Sequence, residues 1–69
     1  MDFVIEHGRR VLAIEIKRTT QPGYRDTEGI RSFLNNHPQA SGGMLVHGGR
    51  DIRRLDENII AVPWTLLTG

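Results

Sequence analysis

DFVIEHGRRVLAIEIK, residues 2–17, decides the fold of this chain. Its centre, HGRR (7–10), is a turn signal built around a glycine. On either side lie FVIE (3–6) and VLAIEIK (11–17), rich in apolar and β-branched residues. Two such runs joined by a short glycine-containing loop read as a β-hairpin. Side chains alternate along a strand, so Leu12, Ile14 and Ile16 share one face. Val11, Ala13, Glu15 and Lys17 share the other. Phe3 and Ile5 share a face of the first run, and a one-residue slip would set them opposite the charged face, which disfavours it. Pairing Glu6 with Val11 sets Phe3 opposite Ile14 and Ile5 opposite Leu12. It also sets Asp2 opposite Glu15, with Cβ atoms about 4.5–5.5 Å apart. A two-residue slip keeps the faces and sets Asp2 opposite Ala13, diagonal to Glu15. Either register gathers Asp2, Glu15 and Lys17 on one surface at one end of the hairpin.

Outward from the hairpin, RTTQPG (18–23) is a loop broken by Pro22 and Gly23. YRDTEGIRSFLNN (24–36) reads as a helix. Asp26 and Glu28 favour its first turns, and Ile30, Phe33 and Leu34 form its apolar stripe. Gly29 costs about 1 kcal/mol in a helix interior and marks close packing on the sheet. Asn35, Asn36 and Pro38 stop the helix. GGMLVHGG (42–49) reads as a buried strand, parallel to the one before the helix. IRRL (52–55) is a short strand and LDEN a turn into NIIAVP (58–63), the last strand; WTLL (64–67) is a helical turn on the sheet end. The expected fold is α/β, a small mixed sheet in β-β-α-β-β order with one main helix, forming a single domain over 1–69.

Bulk properties narrow the function classes. With 69 residues and no cysteine, no disulfide framework or thiolate metal site supports the chain. No run approaches the roughly 18 apolar residues of a membrane span. MDFVIEHGRR does not read as a secretory signal, so a soluble cytoplasmic protein is expected. No G-x-x-x-x-G-K-[ST] motif offers a nucleotide site. The net charge of +1 and a pI near 8.4 fall short of a dedicated nucleic-acid binder, so any such contact is local.

The chemistry concentrates at Asp2, Glu15 and Lys17. The chain has eight arginines and one lysine, and that lysine is Lys17. Two carboxylates about 5 Å apart repel by roughly 3 kcal/mol at an effective dielectric of about 20. A marginal domain needs compensation for that. In one reading Lys17 pairs with Glu15 or Asp2 on a solvated sheet face, contributing about 0–1 kcal/mol. In the other, Asp2, Glu15 and the Ile16 carbonyl ligate Mg²⁺ and Lys17 stands near an attacking water. An acid followed at a distance by E-x-K is a weak signature in itself.

The stretches DFV, RVLAIEIKRTT, YRDTEGIRSFL, GGMLVHGG and IIAVPW resemble the C-terminal domain, of unknown function, of a family of prokaryotic AAA-type ATPases. That domain is similar in turn to the PD-(D/E)XK, restriction endonuclease-like superfamily that includes the archaeal Holliday-junction resolvases. The resemblance spans Asp2 to about Leu67. It implies a motif acid at Asp2 and an E-x-K at Glu15 and Lys17, and Mg²⁺-dependent phosphodiester hydrolysis on DNA. It also implies a core that here lacks the superfamily's first helix and strand, with Met1 where the motif's proline would stand. The alternative expectation is a non-catalytic interaction or dimerisation domain of such an ATPase. A bare first strand, 2–6, invites self-association through the sheet edge.

Other candidates have plainer readings. Arg18, Arg50, Arg53 and Arg54 suit phosphate contacts, but Asp51, Asp56 and Glu57 interleave with the last three and favour a solvated turn. Tyr24 and Trp64 suit base stacking, with core or rim packing as the commoner use. His7, His37 and His47 lack ligand spacing and read as structural, although His47 falls near Lys17 if the two strands are parallel neighbours.

Overall fold

A computed structural model describes residues 2–68. Strands β1 (Phe3–His7) and β2 (Arg10–Ile16) form the hairpin, followed by helix α1 (Glu28–Asn36). Then come β3 (Gly42–His47), β4 (Arg53–Asp56) and β5 (Ile59–Pro63). One five-stranded sheet results, in the order β1-β2-β3-β5-β4. The central strands β2, β3 and β5 run parallel, and antiparallel β1 and β4 form the edges. The expected α/β fold with a mixed sheet and one main helix is the fold observed.

The hairpin adopts the first of the two registers, with Glu6 opposite Val11, Ile5 opposite Leu12 and Phe3 opposite Ile14. Its loop is Gly8-Arg9. Gly8 has φ +63° and is the only described residue with positive φ, which makes the turn type II′ with glycine first.

The segment 24–36 splits in two. Tyr24–Thr27 is 3₁₀ and Glu28–Asn36 is α-helical. The Asp26 carboxylate accepts the Gly23 N–H at 2.9 Å, and the Thr27 hydroxyl donates to the Tyr24 carbonyl at 2.6 Å. These local side-chain bonds compete with regular helical pairing. Thr27 is fully buried, and its oxygen also accepts from Arg31 Nε at 2.9 Å.

The α1 helix packs on one face of the sheet, above Ala13, Leu45, Ile59 and Ala61, with Ile30 fully buried between. This is the face that carries Glu15. A Cβ at Gly29 would lie 2.5 Å from Glu15 Oε1, and a Cβ at Gly43 would collide with the Ile30 side chain. Small residues at Ala13, Gly43 and Ala61 therefore set how closely the helix can approach. The opposite face holds Phe3, Ile5, Ile14, Ile16, Met44 and Ile60, which α1 does not cover, while Val46 and Val62 on the same face are buried near Trp64. Phe3, Ile5 and Ile16 are 55%, 51% and 52% exposed.

Candidate functional site

Glu15 and Lys17 pair at the carboxyl end of β2, and Asp2 bonds to the backbone of Ile16 between them. The first regular pair of the hairpin is Phe3 with Ile14, so the N–H of Ile16 lies beyond the strand ladder. The Asp2 carboxylate takes its place: Oδ2 accepts the Ile16 N–H at 2.8 Å, across 14 residues of sequence. A charged acceptor on a backbone N–H makes a comparatively strong bond. It fastens the acid to the strand carrying the E-x-K.

Glu15 lies on the helix side, its side chain only 12% exposed, with Lys17 Nζ 3.3 Å from its Oε2. Lys17 is 43% exposed and reaches solvent, while its N–H donates to the Val46 carbonyl at 2.8 Å, beside β3. The expected ion pair is present. The solvated face of the simpler reading is not, because Gly29 brings α1 directly over the Glu15 carboxylate. A glutamate in that position is held by its lysine and by its helix roof, not merely by water.

The donor set suits a hard cation. Asp2, Glu15 and the Ile16 carbonyl offer oxygen alone, and Mg²⁺ uses one or two carboxylates while retaining waters or substrate phosphates. Among the described residues no group of three or more His, Cys, Asp or Glu side chains converges on a metal position.

The arginines divide. Arg18 follows Lys17 and is exposed. Arg53 and Arg54 lie on β4, at the far edge of the sheet from the β1–β2 hairpin. They are neighbours along that strand, and so they point to opposite faces. Arg53 Nη1 donates to the Pro22 carbonyl at 3.5 Å. Arg50 lies in the bend after β3. The run 50–54 therefore makes no single basic patch with Lys17. His47 is buried at the end of β3, its Nδ1 accepting the Gly49 N–H at 3.0 Å and its Nε2 bonding the Asp51 carbonyl at 3.0 Å. The loop consumes both ring nitrogens, which makes this histidine structural. Tyr24 lies at the rim, under the Arg31 guanidinium at 4.2 Å.

Reasoning from the sequence missed a cleft of about 370 Å³ where the carboxyl ends of β2, β3 and β5 meet, lined by Ile16, Lys17, Arg18, Val46 and Trp64 among others. Once the strands are known to be parallel, the signal is general: ligands of open α/β sheets bind beyond the carboxyl ends of the strands.

The family model described as Domain of unknown function (DUF4143) matches residues 1–67. The chain belongs to the DUF4143 family. No curated protein and no solved structure matches it. Membership of DUF4143 carries no assigned chemistry, so the functional argument rests on the residues. No described helix is long and apolar enough to cross a membrane.

Proposed function

We propose that this DUF4143 domain is a nuclease-like module acting on DNA, with Asp2 and Glu15 as Mg²⁺ ligands, the Ile16 carbonyl as a further oxygen and Lys17 as the catalytic cation. The observation that carries this reading is the 2.8 Å bond from the Ile16 N–H to Asp2, which holds the acid beside the E-x-K pair. The sequence resemblance to PD-(D/E)XK nucleases supports it. The resemblance to the C-terminal domain of AAA-type ATPases supports an accessory role beside a cytoplasmic ATPase. When bound, Mg²⁺ polarises a phosphoryl oxygen. Glu15 orients the Lys17 ammonium at 3.3 Å, and the exposed ammonium meets charge developing on the phosphate. Titration with Mg²⁺, followed by amide NMR, is expected to give saturable shifts at residues 2 and 15–17. Plasmid nicking that needs Mg²⁺ should disappear in Lys17→Ala. Shifts elsewhere, or nicking indifferent to Lys17, would refute the assignment.

A second reading, association with a second copy of this chain, is favoured by the bare sheet face and by β1, an edge strand exposed along its whole length. Five strands about 4.8 Å apart and roughly 17 Å long present at most about 400 Å², less where Val46 and Val62 are buried. That is the size at which surface patches become functional. It is about half of the roughly 800 Å² each partner contributes to a standard interface. Association is therefore weak and draws on the β1 edge as well. Light scattering should show mass rising with concentration; a constant monomer mass would rule this reading out.

A further inference from the structure

We propose that the cleft at the carboxyl ends of β2, β3 and β5 holds an unpaired nucleotide of single-stranded DNA, with its base on Trp64 and its phosphate at Arg18 and Lys17. This deepens the nucleic-acid reading above but needs no metal.

Four observations converge there. Trp64 follows directly on Pro63, the last residue of β5, and is 53% exposed at the cleft. A tryptophan left in water at a cleft wall has an unused π-face, and stacking on an aromatic is how single strands are held without regard to sequence. Ile16 and Val46 add an apolar surface that suits a base and repels a phosphate. Lys17 and Arg18 supply two cations, and no acidic side chain lines the cleft. Arg18 forms no ion pair among the described residues, and Lys17 shares its charge with Glu15. Arg18 is thus the stronger phosphate contact. His47 closes the inner wall, its ring already bonded to Gly49 and Asp51, which keeps the cleft from collapsing. The cleft shares Ile16 and Lys17 with the Asp2–Glu15 site proposed above, so a strand stacked on Trp64 runs its backbone past those carboxylates.

Trp64 is the only tryptophan in the chain, so its fluorescence reads the contact directly. In EDTA and low salt, a short oligothymidylate is expected to quench it saturably, whereas an abasic phosphodiester of equal length should quench little. By anisotropy of a labelled oligothymidylate, Trp64→Phe keeps affinity within a few-fold, and Trp64→Ala loses roughly 5- to 150-fold. Arg18→Ala weakens binding for every sequence and lowers the salt slope by about one. Equal binding of the abasic strand, or unchanged affinity in Trp64→Ala with its circular dichroism intact, would overturn the proposal. Nicking of duplex plasmid with no fluorescence response to single strands would remove this proposal alone. Metal-free binding without any nicking would uphold the cleft and remove the hydrolytic role.

Discussion

Gly29→Ala separates the fold from the site. A methyl at Gly29 would lie 2.5 Å from Glu15 Oε1, closer than any carbon–oxygen contact allows. The obstructing atom is the free end of a side chain, so it can swing away. The helix itself gains: alanine replaces glycine near the start of α1, worth at most about 1 kcal/mol. Against that stands the pair Glu15–Lys17, which has a half-exposed lysine and contributes about 0–1 kcal/mol. The net change in stability should fall within about 1 kcal/mol of zero. The carboxylate is nevertheless pushed out from under the helix, so its 3.3 Å contact with Lys17 breaks. Gly43→Ala is the control. There the methyl meets the fully buried Ile30, and overpacking a core costs about 1–3 kcal/mol. Urea denaturation followed by circular dichroism measures both variants. A double-mutant cycle with Lys17→Ala measures the pair, and its coupling should vanish in the Gly29→Ala background. If Gly29→Ala unfolds the protein as readily as Gly43→Ala, or if the Glu15–Lys17 coupling survives it, the placement of Glu15 beneath the helix is wrong.

Asp2→Ala removes the acceptor for the Ile16 N–H, at a cost of about 0.5–1.5 kcal/mol. Hydrogen exchange of that amide should quicken by about tenfold while the amides of Ala13 and Leu45 keep their protection. His47→Ala leaves the Gly49 N–H and the Asp51 carbonyl without their ring partner, and each orphaned group costs about 1–3 kcal/mol. A fall in the urea midpoint of less than the equivalent of about 1 kcal/mol would show that the ring is not the loop's anchor. Ile5→Lys places a charge on the bare sheet face with little effect on monomer stability, about 0.5 kcal/mol or less. It should abolish any concentration-dependent rise in mass seen by light scattering.

The hairpin was legible because two independent constraints agreed. Parity along residues 11–17 separated Leu12, Ile14 and Ile16 from Glu15 and Lys17, and the glycine in HGRR fixed where the chain reverses. Parity alone left two registers. The position of the loop at Gly8-Arg9 chose between them, since a two-residue loop one position earlier, at His7-Gly8, would have set Asp2 opposite Ala13. The parallel pairing of β3 to β2 was legible from the intervening helix, for a parallel strand needs a long crossover. The internal break at Thr27 was not legible. It depends on a buried hydroxyl bonding backward to Tyr24 and forward to Arg31, a pattern set by burial and not by periodicity.

Which face of the sheet the helix covers was the harder question, and hydrophobicity points the wrong way. The face with Phe3, Ile5, Ile14, Ile16, Met44 and Ile60 is the more apolar, yet α1 lies on the other. Size explains the choice. Ala13, Gly43 and Ala61 make a shallow floor into which Ile30 sinks completely. A helix laid on the row of isoleucines would stand further off and leave Ile30 partly wet. Burial of one such side chain is worth about 1.5–3 kcal/mol. The same close approach demands glycine where α1 crosses Glu15, and Gly29 is there. The small residues of the sheet and the glycine of the helix are therefore one feature, visible in the sequence only when read together. Its consequence is chemical as well as structural. The carboxylate of Glu15 lies in a shielded place beside Lys17, and the helix that shields it leaves Lys17 open toward the cleft at Trp64.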